Sequence, residues 1–397
     1  MISSDNTVNQ LLLFCNRFHY FVYQHLLNYQ SVVFLYWLLF SHSQGRSVFM
    51  KKFRQLCFAI LTVLGLGVVI GYGFQHAKQA SANSRQFKGK TLKVVTTSDA
   101  YKPLFNKFSK QTGAKVEFMS MSSGEVLARM KADKSAKPMA DLWFGGGIDA
   151  FMQAKSDHLL AKDNSSSVNK ISKQYRDPDG YWLSKGLTVG GLVVNKKVLK
   201  DKKLAMPTSW NDLTKPEYKG EIIMSDPAVS GTSYAIVKGL LDQKGNNAGW
   251  NYWKKVNNNI SFYSKRGKDP QEKVTSGEFA IGLIPVDQMA FKTAQQNDLK
   301  VIYPSDGVPW VPEGVAIFRN APDQKVARSF INFMLEPANM KELAKIDGKD
   351  TDQIIMPGVK GLNLGLKKSD LIKENLTTFG SDRQSILNKW TKMVGNK

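Results

Sequence analysis

Residues 91–121, TLKVVTTSDAYKPLFNKFSKQTGAKVEFMSM, change hydrophobic period twice. TLKVVTTS is a short β-branched run, YKPLFNKFSKQTG spaces its apolar residues as a helix that stops at Gly113, and AKVEFMSM returns to a strand. The pattern continues outward: GEVLARMKADK reads as a helix, ADLWFGGG as a strand and IDAFMQAKSDHLL as the helix after it. Strand and helix thus alternate, which predicts a parallel sheet covered by helices on both faces, with any ligand at the carboxyl ends of the strands. Those ends are small and polar. The first carries Thr97, Ser98 and Asp99; the second Ser120, Ser122, Ser123 and Gly124; the third Gly145, Gly146 and Gly147.

The alternation breaks at YWLSKGLTVGGLVVNKKVLK, where strand follows strand near Gly186 to Asn195, and resumes at KGEIIMSDP. From there TSYAIVKGLLD, AGWNYWKKVNN, DPQEKVTSG and QMAFKTAQQ read as helices, and NISFYS, EFAIGLIPVD and LKVIYPS as strands. WVPEGVAIF brings one more apolar strand, followed by the helices DQKVARSFINFMLEP and PANMKELAKID. This places residues 90–188 and 311–397 in one α/β lobe and 189–310 in a second, joined by two extended crossings around a cleft. In the second lobe, SDPAVSGTSYAIVKGLLDQKG sets Ser230, Gly231, Thr232 and Ser233 at a helix start. Unpaired N–H groups and the positive end of the helix dipole make such a turn a seat for an anion, although an ordinary helix cap would use the same residues.

At 397 residues, 42% hydrophobic and 22% charged, the chain can build two cores. Its formal charge of +22 is spread through the body with no basic arm or RNA-binding motif, which argues against nucleic acid. Cys15, Cys57, His19, His25, His42 and His76 all lie near the start, and the remainder carries only His158. A Cys/His zinc site, a cysteine nucleophile and a structural disulfide are excluded there, so no metal and no cofactor is expected. An exported phosphate-ester hydrolase using Ser233 or Thr232 would lack a positioned base; the expectation is a binding protein, not an enzyme. A surface adhesin would suit the charge but leaves the turns unexplained.

MKKFRQLCFAILTVLGLGVVIGYGF, from Met50, has a basic start and an apolar run, and Ala80-Ser81-Ala82 offers a cleavage site. Residues 50–82 therefore read as an export signal, or as a membrane anchor if left uncleaved. The aromatic-rich residues 1–49 read as an upstream mis-start or a further membrane segment. The body belongs outside the cytoplasmic membrane, at the cell surface or secreted.

FNKFSKQTGAKVEF, SSGEVLARMKAD, ADLWFGGGIDAFMQAKSDHLL, VVNKKVL, PTSWNDLTKPEYKGEIIMSDPAVSGTSY, VTSGEFAIGLIP and PEGVAIFRNAPDQKVARSFINFMLEP occur in order over most of this body. The set resembles the type II extracytoplasmic solute-binding proteins of ABC importers, in the branch around the ferric-iron binders. The resemblance implies a ligand held between lobes and handed to a membrane permease by a monomer. It also implies that iron binders carry a tyrosine pair after the AIGLI strand and a histidine after the first strand. This chain has Pro285-Val286-Asp287-Gln288 and Thr97-Ser98-Asp99 there, which lack the phenolates ferric iron favours. WFGGG and DPAVSGTSY look more like members that take phosphorylated or phosphonate organics. The expected ligand is thus a small anion, a sugar phosphate or aminoalkylphosphonate, with iron or a polyamine as the alternative. Its expected contacts are Thr97, Ser98, Ser122, Ser123, Gly146, Gly147, Ser230, Gly231, Thr232 and Ser233, with Asp287 and Glu313 accepting from sugar hydroxyls or an ammonium. Trp310 could stack on a ligand face, and Lys265 and Arg266 could neutralise it.

Overall fold

The structure is a computed structural model that describes residues 86–133, 137–349, 355–359 and 362–397. The chain divides into Met1–Lys78 and Gln79–Lys397, and all described residues belong to the second unit. Both proposed N-terminal segments, 1–49 and the signal at 50–82, lie outside the described residues. Among the described residues no helix is long and apolar enough to cross a membrane.

The opening stretch folds as its periods require. Strand β1 (Thr91–Thr96) leads to helix α1 (Lys102–Thr112), with proline in its first turn and Gly113 closing it in the left-handed region. β2 (Lys115–Ser120), α2 (Ser123–Ala132), β3 (Leu142–Gly147) and α3 (Ile148–Ser156) follow, then the short β4 (Leu160–Ala161). β1 runs parallel to both β2 and β3, so the three strand exits share one edge.

The break in alternation is a single strand, β5 (Leu183–Asn195), buried along its whole length and followed by the short α4 (Lys196–Asp201). A fully buried strand needs no polar alternation, which is why apolar residues and glycines dominate it while Ser184, Lys185 and Thr188 are buried within it. The second alternation gives β6 (Ile222–Ser225), α5 (Gly231–Lys244), α6 (Asn246–Asn259), β7 (Ile260–Ser264) and α7 (Asp269–Thr275). It continues through β8 (Ile281–Val286), α8 (Gln288–Gln296) and β9 (Leu299–Ile302). Here β6 is parallel to β7 and β8. β10 (Trp310–Phe318), α9 (Gln324–Met334), α10 (Pro337–Asp347) and α11 (Arg383–Val394) complete the order.

One sheet joins the lobes, in the order β2-β1-β3-β10-β5-β8-β6-β7, with β4 on β10 and β9 on β5. The joints are β5 and β10. β5 pairs antiparallel with β10 through Leu183–Val189 and with β8 through Val189–Val194, while β10 passes on to β3 through Glu313–Ile317. The two parallel halves therefore meet through two antiparallel crossing strands, the architecture of a type II two-lobe binding fold.

The C-terminal region departs from the sequence reading. α9 does pack in the first lobe, where Phe330 meets Phe105, Phe108 and Phe144 with ring centroids 5.2–5.7 Å apart. The later residues contact the second lobe instead. Ile372 N–H donates to Val308 O at 3.1 Å, Tyr234 Oη donates to Phe379 O at 2.7 Å, and Trp390 sets its edge against Trp253 and Tyr263 at 5.3 and 5.2 Å. Assigning all of 311–397 to the first lobe followed chain order, and these contacts with distant residues do not.

Candidate functional site

The small-residue turns are helix starts, and three of the four are built by a serine cap. Ser122 Oγ accepts from Glu125 N at 3.3 Å to open α2, and Ser230 Oγ accepts from Ser233 N at 3.2 Å to open α5. Ser98 Oγ accepts from Ala100 N at 3.2 Å, and Gly147 precedes α3 without a side-chain cap. The amide of Ser233 is thereby spent on its own helix, whereas the first-turn amides of Gly231 and Thr232 precede the cap bond.

The turns of the two lobes touch. A methyl group added to Gly231 would stand 2.9 Å from Gly147 N and 3.1 Å from Ser123 Oγ, and one on Gly124 would stand 2.2 Å from Ala228 O. Only a residue without Cβ permits that second approach. Gly146 adopts a φ of 100°, a region that L side chains rarely occupy, and its backbone lies against Ser123 and Thr97. Ser123, Gly146, Gly147, Gly231 and Thr97 thus come together where the turns of the two lobes meet. Ser98, Ser122 and Ser230 sit in the same turns but use their oxygens as caps.

Glu313 is different from what was expected. It is buried in β10, and its Oε2 accepts from Lys185 Nζ at 2.6 Å while Oε1 accepts from Lys349 Nζ at 2.9 Å and Thr188 Oγ1 at 2.5 Å. Asp347 accepts from Lys185 Nζ at 2.8 Å and from Tyr101 Oη at 2.6 Å, and Lys185, wholly buried, lies 4.7 Å over the Tyr101 ring. Burial alone would raise Glu313, but Lys185 and Lys349 outweigh it and hold the carboxyl well below the usual range. Burial alone would lower both lysines, yet Glu313 and Asp347 raise them above theirs. Two lysines and a threonine have taken the oxygens of Glu313, so it does not stand as the free acceptor the sequence suggested. Its lysine partners lie 128 and 36 residues away in the chain, and nothing local signals them.

Asp287 caps α8, accepting from Ala290 N at 2.8 Å, and burial pushes its carboxyl up. Trp310 donates its Nε1–H to Ile372 O at 2.9 Å and its backbone N–H to Glu374 Oε1 at 2.8 Å, so the C-terminal segment holds the edge of the indole in place. Trp143, Trp210, Trp250 and Trp253 are buried packing residues. Lys265 and Arg266 are exposed, Lys265 3.3 Å from Asp226. Among the described residues no group of three or more His, Cys, Asp or Glu is placed to hold a metal.

Two parallel half-sheets, two crossing strands and facing turns define an interlobe binding protein. The sequence profile of the bacterial extracellular solute-binding proteins matches residues 137–362, and the chain belongs to that family. The protein is the extracytoplasmic solute-binding component of an ABC importer. Among solved structures it is similar to the periplasmic binding protein AfuA from Actinobacillus pleuropneumoniae, described with fructose-6-phosphate bound. That likeness has a TM-score of 0.71 at 25% identity, covering 78% of this chain and 99% of AfuA. The phosphoglycerate transport regulatory protein PgtC of Salmonella typhimurium is 32% identical over 155 residues, 39% of this chain and 38% of PgtC. The spermidine/putrescine-binding periplasmic protein of Escherichia coli is 27% identical over 270 residues, 63% of this chain and 74% of that protein.

Proposed function

We propose that the captured solute is a small organic phosphate or phosphonate, held between the lobes at the meeting turns. The observation that carries this reading is the approach of Ser123 and Gly147 in one lobe to Gly231 in the other. These are hydroxyl and amide donors at helix starts, matched to phosphoryl oxygens by number and by dipole. Hydrogen bonds to a charged acceptor contribute about 1.5–3 kcal/mol each, so a few such donors suffice for micromolar binding. Thr97, Thr232 and Ser98 extend the donor set, and Asp287 remains the acidic group for a hydroxyl or ammonium of the same guest. The solute enters when the lobes part about β5 and β10 and is enclosed when the turns return. AfuA and PgtC, whose names associate them with phosphorylated organics, support the class.

The polyamine relative points to a cationic guest, which would require free carboxylates. Glu313 and Asp347 are bound to Lys185, and one oxygen of Asp287 is bound to Ala290, so this chain is poorly prepared for it. Titration calorimetry with fructose 6-phosphate, 3-phosphoglycerate, aminoethylphosphonate, spermidine and ferric citrate decides. Heat from one of the phosphorylated or phosphonate compounds is expected; heat from spermidine or ferric citrate alone overturns the proposal.

A further inference from the structure

Arg383 belongs to neither group of residues described above, yet it stands where the lobes meet. It opens α11 and is 7% exposed; its Nε–H donates to Asp149 Oδ2 at 2.8 Å and its Nη2 donates to Ala228 O at 3.1 Å. Asp149 is in the first turn of α3, just beyond Gly147. Ala228 lies just before Ser230, and its carbonyl is the atom a side chain on Gly124 would strike. α11 itself is seated on the second lobe through Trp390. The bond to Asp149 therefore spans the lobes, and the bond to Ala228 keeps the guanidinium at the turn. Beside it Gly380 rests against Met152 of α3, leaving a methyl on Gly380 only 2.3 Å from Met152 Cβ.

We propose that Arg383 is the positioning residue that latches the closed form, tying the turn of α3 to the turn before α5. The inference rests on reading these turns as the seat of the solute. A guanidinium suits the place because its planar fork serves two acceptors at once, which an ammonium on a flexible stem does less well. Asp149 also places a carboxylate in the first turn of α3, whose N-cap Gly147 makes no side-chain cap bond. In the open form both ions return to water. The latch therefore biases an equilibrium, and it acts on how slowly a captured solute leaves.

The test is hydrogen exchange followed by mass spectrometry on the full chain without ligand, comparing wild type with the double variant D149N/R383Q. The double change keeps side-chain size and leaves no unpaired buried charge, so the fold is retained. Amides of residues 143–149 and 226–233 are expected to exchange about tenfold faster or more, with the β1–β2 ladder unchanged. Unchanged rates in both segments, or one uniform acceleration through the molecule, overturn the latch. No solute enters the measurement, so a wrong ligand class and a wrong latch give different results.

Discussion

The facing turns and the crossing strands handle charge in opposite ways. At the turns the available groups are amides and hydroxyls, neutral donors that cost little to leave in water while the lobes are apart. At the crossing strands the groups are full charges, Lys185 and Lys349 with Glu313 and Asp347, and each is already answered by another. The difference teaches where a guest can act. At the turns the donors of one lobe lie against the other lobe; at the strands an incoming anion would have to displace a carboxylate from a buried lysine.

The largest effect should come from breaking the second region. Lys185→Met leaves Glu313 and Asp347 short of a buried cation and is expected to cost about 3–5 kcal/mol in urea unfolding at neutral pH. The sign with pH follows from the shifts. Glu313 is depressed, so its contribution is complete above the unfolded carboxyl value of about 4.3 and is lost as pH falls through the folded value. The lysines are raised, so theirs is complete below about 10.4 and is lost as pH rises through the folded value. The deficit of Lys185→Met should therefore hold steady between those limits and shrink in acid. A deficit under about 1 kcal/mol would place these strands with ordinary surface pairs.

Gly124→Val tests the first region. Its side chain meets the Ala228 carbonyl only when the lobes close, so affinity for fructose 6-phosphate should fall about tenfold or more while unfolding free energy changes little. Unaltered affinity would separate this contact from capture. Ser230→Ala removes the α5 cap and should cost about 1 kcal/mol of stability. The smallest effect is expected at Glu374, a buried carboxyl whose charge Trp310 N–H and the nearby Lys238 offset only in part. Burial pushes it well above its usual range, so its charged form weighs against the fold as pH rises, and Glu374→Gln should move the urea midpoint slightly upward at neutral pH. No gain in midpoint would mean that a cation reaches it.

The alternation of strand and helix was legible because period, caps and glycine stops are local properties, as in α1 with its Gly113 closure. The turns were legible for the same reason: Ser230 and Ser122 announce helix starts within a few residues. The pairing of Glu313 was not, because Lys185 lies 128 residues away and a lone carboxylate in an apolar strand looks the same whether it faces solute or lysine. The setting of Trp310 was hidden in the same way, since the Ile372 carbonyl that its Nε1–H meets lies 62 residues further on. α11 has no strand beside it to extend the alternation, and its role emerges only from Trp390 and Arg383 in space.

The ion pair between Asp149 and Arg383 joins residues 234 positions apart. Synthesis proceeds at roughly 5–20 residues per second, so the carboxylate is made on the order of ten seconds or more before its counter-ion exists. This pair therefore ties the lobes only once α11 is present, however early the first lobe is made.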